Sequence, residues 1–269
     1  MAAVMNGMSA HGGVIPVGGT FFVFSDYMKP AVRMAALMEL PVKYVWTHDA
    51  FRVGEDGPTH QPVEQEAQIR LLENLKNHSG NMSLLALRPA DAAETTVAWK
   101  MALENDRGPT ALILSRQGIK DIPAKSGSKF YESLQAEKGA YIVQKDDGNP
   151  DIVLVANGSE VSTLLAGAEK LRTEKGLKIQ VVSAISEGLF KQQEKKYRNE
   201  VIPDNLPVFG LTAGIPLTLR GLVGPKGKVF GLESFGYSAP YKVLDEKLGF
   251  TAENVFNQVV QYLNEYSNQ

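Results

Sequence analysis

Short apolar runs of aliphatic and β-branched residues alternate with longer amphipathic stretches along nearly the whole chain. That alternation is the feature that most narrows the fold. A strand buried on both faces reads as a continuous apolar run, and the helix that crosses back to its parallel neighbour reads with a period near 3.6. In the first half, strands are expected at residues 42–46, 83–87 and 111–114, and helices at 24–40, 63–76 and 91–104. After Pro30, which suits a first turn or a kink, Val32, Ala35, Ala36 and Met38 recur at the spacing of one buried helix face. From Ser115 the pattern lapses into GIKDIPAKSGSKF, a linker composition. A second alternation follows, with strands at 152–156, 179–182, 208–211 and 229–232 and helices at 161–175 and 252–262. Gly176 stands where a helix cap is expected. The expected architecture is α/β, with two domains, each a mostly parallel sheet flanked by helices, at residues 1–130 and 131–269.

Composition removes several functional classes. A formal net charge of −2 over 269 residues provides no basic field for nucleic acid, so an anionic ligand has to be held by a few local groups. No apolar run approaches the roughly 20 residues of a membrane helix. The absence of cysteine excludes disulfides, thiolate metal ligands and a thiol nucleophile, and suits a reducing cytoplasm.

Three groups of residues could carry chemistry. Of the four histidines, His48 and His60 bracket residues 47–60, which also hold Asp49, Glu55 and Asp56. This segment follows an expected strand, so its polar groups lie at a carboxyl end, where open α/β sheets bind ligands. Gly54, Gly57 and Pro58 break regular structure and allow close backbone approach. The other reading is a solvated loop with incidental histidines, and the spacing does not suit a metal site. Phe21, Phe22, Phe24 and Tyr27 cluster where a glycine turn, Gly18-Gly19, is expected to run into a helix. Such rings can form a slot for a flat heteroaromatic group, or simply core. Arg116 and Arg88 each follow an expected strand and could clamp a phosphate, or lie on the surface as plain charges.

In this order, these groups resemble the transketolase family. TFFVFSDYMKPAVRMAALM resembles its pyrimidine pocket for thiamine diphosphate, and THDAFRVGEDGPTHQPVEQ resembles its THD…GEDGPTHQP signature. RPAD at 88–91, PTALILSRQ at 109–117, GSEV at 158–161 and FGYSAP at 235–240 follow in register. The resemblance implies transfer of a two-carbon ketol unit from a ketose phosphate to an aldose phosphate. It implies that Phe21, Phe24 and Tyr27 pack around the aminopyrimidine ring. His60 is implied to contact substrate near the reacting carbon and move protons. Asp56 is implied to accept from the hydroxyl next to the acceptor aldehyde, and His48 and Arg116 to grip the sugar phosphate. The complete enzyme is expected to hold thiamine diphosphate with Mg or Ca, as a cytoplasmic dimer of the pentose phosphate pathway. Neither nucleic acid nor membrane is an expected partner.

The departures from the family pattern matter as much. The family's R-x-x-E-F/H-x-M pattern, whose glutamate bonds the pyrimidine, and the GDG…N motif of the diphosphate domain do not occur in this sequence. The expectation is therefore a C-terminal portion, weak in cofactor binding and inactive alone, completed by an N-terminal transketolase half or another subunit. Its alternative is a non-catalytic interaction module. Dihydroxyacetone synthase shares these motifs, whereas deoxyxylulose phosphate synthases and 2-oxoacid dehydrogenase β chains do not usually carry GEDGPTHQP. Phe51-Arg52 replaces a small apolar pair, and His78 lies on an excursion without an expected role.

Overall fold

The computed structural model describes residues 1–125 and 127–266. The first half opens on α1 (Ala2–His11), then β1 (Val17–Phe21), α2 (Ser25–Leu37), β2 (Lys43–Thr47) and α3 (Gln65–Glu73). It closes with β3 (Leu85–Leu87), α4 (Ala92–Glu104) and β4 (Thr110–Ile113). The four strands are all parallel and lie in the order β1-β2-β4-β3. Beyond them come α5 (Lys129–Ser133), β5 (Tyr141–Lys145), β6 (Ile152–Ala156), α6 (Glu160–Lys175), β7 (Ile179–Ser183), α7 (Glu187–Lys191) and α8 (Lys195–Val201). The last elements are β8 (Val208–Leu211), α9 (Leu217–Val223), β9 (Lys228–Phe230), α10 (Tyr241–Leu248) and α11 (Ala252–Tyr266). This second sheet has the order β5-β7-β6-β8-β9 and is parallel except for β5. The fold is thus α/β, with two mostly parallel sheets flanked by helices.

The cause is legible in the burial. Every residue of β6 and of β7 is buried, as their continuous apolar runs require in a sheet covered on both faces. Val32, Ala35 and Ala36 of α2 are buried as their spacing predicts, joined by Met28. Met38 is a correction: α2 ends at Leu37, and Met38 is exposed. Pro30 lies inside α2 and not in its first turn.

Gly18-Gly19 is a second correction, because the pair forms the middle of strand β1 and not a turn. Two glycines weaken a strand, which hides it from propensity reasoning. They are used here for close approach: a Cβ on Gly18 would collide with the Met5 sulfur of α1, and one on Gly19 would come within 3.1 Å of the Val45 carbonyl. Strand β5 is the one antiparallel strand of its sheet, and its half-buried alternation was not anticipated.

Candidate functional site

Phe21 ends β1 and Thr47 ends β2, and the two residues are register partners. The chain therefore delivers Phe21 and His48 to the same carboxyl edge. A short 3-10 turn at Phe22–Phe24 leads into α2 and turns Phe24 and Tyr27 toward that edge. A second one at Pro58–His60, started by Gly57 at φ 77°, brings His60 over it.

The rings form one cluster. The His48 imidazole stacks on Phe21 with centroids 3.5 Å apart and planes 15° from parallel. His60 meets Phe24 edge-on at 5.5 Å and Phe21 at 6.2 Å. Phe21 and Phe24 are 6.1 Å apart, and Phe24 and Tyr27 are also 6.1 Å apart. Phe21, Phe24, His48 and His60 are half-buried, whereas Tyr27 is 85% exposed and presents an open ring face.

Both histidines are oriented by the preceding threonine. Thr47 Oγ1 lies 2.9 Å from His48 Nδ1, and Thr59 Oγ1 lies 2.9 Å from His60 Nδ1. A hydroxyl donating to Nδ1 leaves Nε2–H as the ring's donor, and one accepting from Nδ1–H leaves Nε2 as an acceptor. His48 has a backbone φ of 62°, the left-handed region that a side-chain-bearing residue seldom enters. Burial holds the His48 imidazole below its usual range, reinforced by the positive charges of Arg116 and His60 and opposed by Asp56. At neutral pH His48 is consequently uncharged, with one ring nitrogen a donor and the other an acceptor. Asp56 and Arg116 are exposed, on the loop after β2 and just past β4.

The sequence-derived candidates thus meet at one place: Phe21, Phe24, Tyr27, His48 and His60 through ring contacts, and Asp56 and Arg116 through their charges on His48. Arg88 does not join them as a phosphate ligand. It is 1% exposed, with its guanidinium committed. Nε and Nη2 donate to Asp49 Oδ2 at 3.0 and 2.6 Å, and Nη1 donates to Asn157 Oδ1 at 2.6 Å and Glu160 Oε2 at 2.5 Å. Arg52 continues the network, donating to Glu160 Oε1 at 2.8 Å and to Asp245 Oδ1 at 2.7 Å. Burial raises Glu160, yet Arg88 and Arg52 outweigh it and hold the carboxyl below its ordinary range. Sequence reasoning named Asp49 only as a polar residue of the 47–60 segment and paired none of Asp49, Glu160 or Asp245 with an arginine, because such partners lie far apart in the chain and leave no local periodicity. The one available signal was Arg52 in place of an apolar residue.

Gly54 and Gly57 are also put to a different use than expected. Gly57 stands 3.3 Å, measured from an added Cβ, from the Ser238 Cβ, and Gly54 stands 3.4 Å from the Ala239 carbonyl. Ser238 Oγ donates to the Glu55 carbonyl at 2.5 Å, and Gln61 Nε2 donates to the carbonyls of Gly54 and Tyr237. The close approach is to the FGYSAP segment, which pins the loop from the second half of the chain. His78 and His11 are exposed and take no part in the cluster.

Comparison with known proteins fits this geometry. Residues 1–121 match the family model described as "Transketolase, pyrimidine binding domain", and residues 139–251 match "Transketolase-like TK C-terminal domain". The chain is 44% identical over 262 residues to the transketolase of Aquifex aeolicus, which covers 97% of this chain and 36% of that protein. The chain belongs to the transketolase family. The Bacillus subtilis transketolase is 43% identical over 266 residues, covering 98% of this chain and 38% of that protein. Among solved structures, transketolase from Pichia stipitis in complex with sedoheptulose-7-phosphate superposes with a TM-score of 0.87 at 33% identity, over 100% of this chain and 37% of that one. A split gene transketolase, described as an inactive beta4 tetramer, shares the fold with a TM-score of 0.72 at 24% identity, over 97% of this chain and 80% of that one. The 269 residues span a little over a third of the curated transketolases they match, and correspond to the pyrimidine-binding and C-terminal domains.

Proposed function

We propose that this chain carries the substrate side of a ketol-transfer site and works together with a diphosphate-binding region that lies outside its 269 residues. The observation that carries the reading is the convergence of His48, His60, Asp56 and Arg116 on the ring cluster of Phe21, Phe24 and Tyr27. Two imidazoles, a carboxylate and a cation around aromatic rings match the needs of a phosphorylated hydroxy-carbonyl compound. We place the domain boundary at residue 130, between β4 of the first sheet and β5 of the second and within the short helix α5.

Thiamine diphosphate is the cofactor the family implies, and its thiazolium supplies the carbanion chemistry when bound. The residues present fit its aminopyrimidine ring: Phe24 and Tyr27 stand in open tilted contact, and Tyr27 has a free face. One face of Phe21 is taken by His48, so Phe21 backs the slot by supporting its neighbours. His60, half-buried between aromatic edges, donates or accepts a proton at the substrate oxygens. Asp56 accepts from the hydroxyl beside the acceptor aldehyde, which selects its configuration. Arg116 supplies the charge that balances the sugar phosphate, and neutral His48 supplies a hydrogen bond. Mg or Ca and the diphosphate are held by the complementary region.

A partner surface suits this reading. The edge strand β1, the loop before it and helices α1 and α2 expose Val4, Met8, Ile15, Val17, Leu37 and Tyr27, apolar groups that a complementary subunit would cover. Sugar phosphates and either a second copy or a transketolase N-terminal half are the proposed partners. Among the described residues no helix is long and apolar enough to cross a membrane.

The test reconstitutes the chain with the preceding region of the Aquifex aeolicus relative and follows ketol transfer between sugar phosphates. His60→Ala in that pair is expected to lower kcat by about 100-fold or more. A His60→Ala pair as fast as the unaltered one would remove the proposed role.

A further inference from the structure

His48 holds its ring against Phe21 from a backbone conformation that costs energy, and such a conformation persists only where its surroundings enforce it. Thr47 contacts the imidazole at Nδ1 and orients the ring, but that contact does not fix the peptide that follows. The next residue is firmly anchored. Asp49 is buried, and its Oδ1 has no hydrogen-bond partner among the described residues, so its carboxylate is held through Oδ2 by Arg88.

Arg88 is in turn fixed by the second half of the chain. Its Nη1 is held by Glu160 and Asn157, its amide donates to the Ile185 carbonyl at 3.0 Å, and its own carbonyl accepts from Gly158 N–H at 3.1 Å. Gly158 is required there: a Cβ at that position would come within 2.7 Å of the Arg88 guanidinium carbon.

We propose that Arg88 is a positioning residue: anchored on the second domain by Glu160 and Asn157, it grips Asp49 and thereby keeps His48 in the left-handed backbone that stacks its imidazole on Phe21. The C-terminal domain, which contributes no ring to the cluster, thus sets the backbone of His48 through this guanidinium, apart from the FGYSAP and Arg52 contacts that pin the later part of the same loop. What the held imidazole is for rests on the function proposed above, but whether it is held does not.

The experiment therefore reads His48 directly, in the 269-residue chain without substrate. The four histidine Cε1–H signals are assigned by single His→Gln replacements and titrated by proton NMR. In the unaltered chain the His48 signal is expected to be displaced by the Phe21 ring current and to titrate below the ordinary imidazole value of 6.5. Asp49→Ala cuts the tie while leaving Arg88 paired with Glu160. Its His48 signal is expected to lose the ring-current displacement, with a titration midpoint raised in parallel toward 6.5. Asp49→Asn, which retains an acceptor oxygen for Arg88, is expected to restore the displaced signal. Arg88→Lys, with one ammonium in place of a fork that serves Asp49 and Glu160 at once, is expected to behave like Asp49→Ala. A folded Asp49→Ala or Arg88→Lys chain with the unaltered His48 signal and midpoint overturns the proposal. If Asp49→Ala does not fold, Arg88→Lys is judged by the same criterion. These outcomes are independent of ketol transfer, so a failure here and a failure of the proposed activity are told apart.

Discussion

In the proposed phosphate clamp His48 and Arg116 play different parts, because burial and the Arg116 charge hold the imidazole below its ordinary range and so uncharged at pH 7. Its folded value lies below the ordinary 6.5, so the unfolded chain takes up the proton first as pH falls. The stability contributed by neutral His48 is therefore present in full above 6.5 and lost as pH drops through the folded value. Proton NMR is expected to show that depressed midpoint, and inorganic phosphate is expected to raise it, since an anion favours the charged ring. Arg116→Ala should raise the midpoint in the absence of phosphate. In a reconstituted enzyme the same substitution should weaken phosphorylated substrates about ten- to a hundredfold, for the roughly 1.5–3 kcal/mol of a charge-assisted hydrogen bond. Unphosphorylated substrates should lose far less, and equal losses in the measured kcat/KM would contradict the clamp. His48, Asp56, His60 and Arg116 were legible in the sequence because each stands at a strand's carboxyl end or in a motif. The neutral state of His48 was not, because it depends on burial and on charges from other loops.

Among the elements, the loop from β2 to α3 shows how glycine and capping residues serve the site. Gly57 combines φ 77° with a neighbour at Ser238, so Gly57→Ala is expected to cost roughly 1–3 kcal/mol. Chemical denaturation would measure that loss, and an unchanged midpoint would show that the loop is not pinned as described. Asp91 caps α4 by accepting from Glu94 N–H at 2.8 Å, and its other oxygen accepts from Ile122 N–H at 3.1 Å. Asp91→Ala should cost at least the ~1 kcal/mol of a lost cap, read in the same assay, with more if the Ile122 amide stays unpaired. Long apolar runs announced strands β2, β6, β7 and β8, and Gly176 announced the end of α6, which it caps in the left-handed conformation. The glycine-rich β1, the edge strand β5 and the short helices α7 to α10 escaped notice. Each is too short or too mixed in composition for a periodic signal, and packing of neighbours decides it.

Across the whole molecule, buried charges join the two halves. Arg88 and Arg52 reach Asp49, Glu160 and Asp245 over sequence separations of 39 to 193 residues, and no window of sequence could display such pairing. Removing one member of a buried ion network leaves the others uncompensated, at a cost of about 3–5 kcal/mol. Glu160→Ala is therefore expected to lower the Tm strongly, which calorimetry would record, and a near-native Tm would contradict the network's importance. The Glu160 carboxyl sits below its ordinary 4.5 in the folded chain, so its stabilising share is complete above that pH and lost as pH falls through the folded value. Family resemblance and motif order revealed which family the chain belongs to, whereas the contacts that tie the loop after β2 to the second half of the chain emerged only in three dimensions.

The central claim is that these residues are the substrate side of a ketol-transfer site completed from outside the chain. Its most direct test is the rate of ketol transfer between sugar phosphates, with thiamine diphosphate and Mg, by the purified chain alone and after addition of a transketolase N-terminal region. No transfer by the chain alone and transfer by the mixture is the expected result. Turnover by the purified chain alone, or none in a mixture shown to associate, would contradict it.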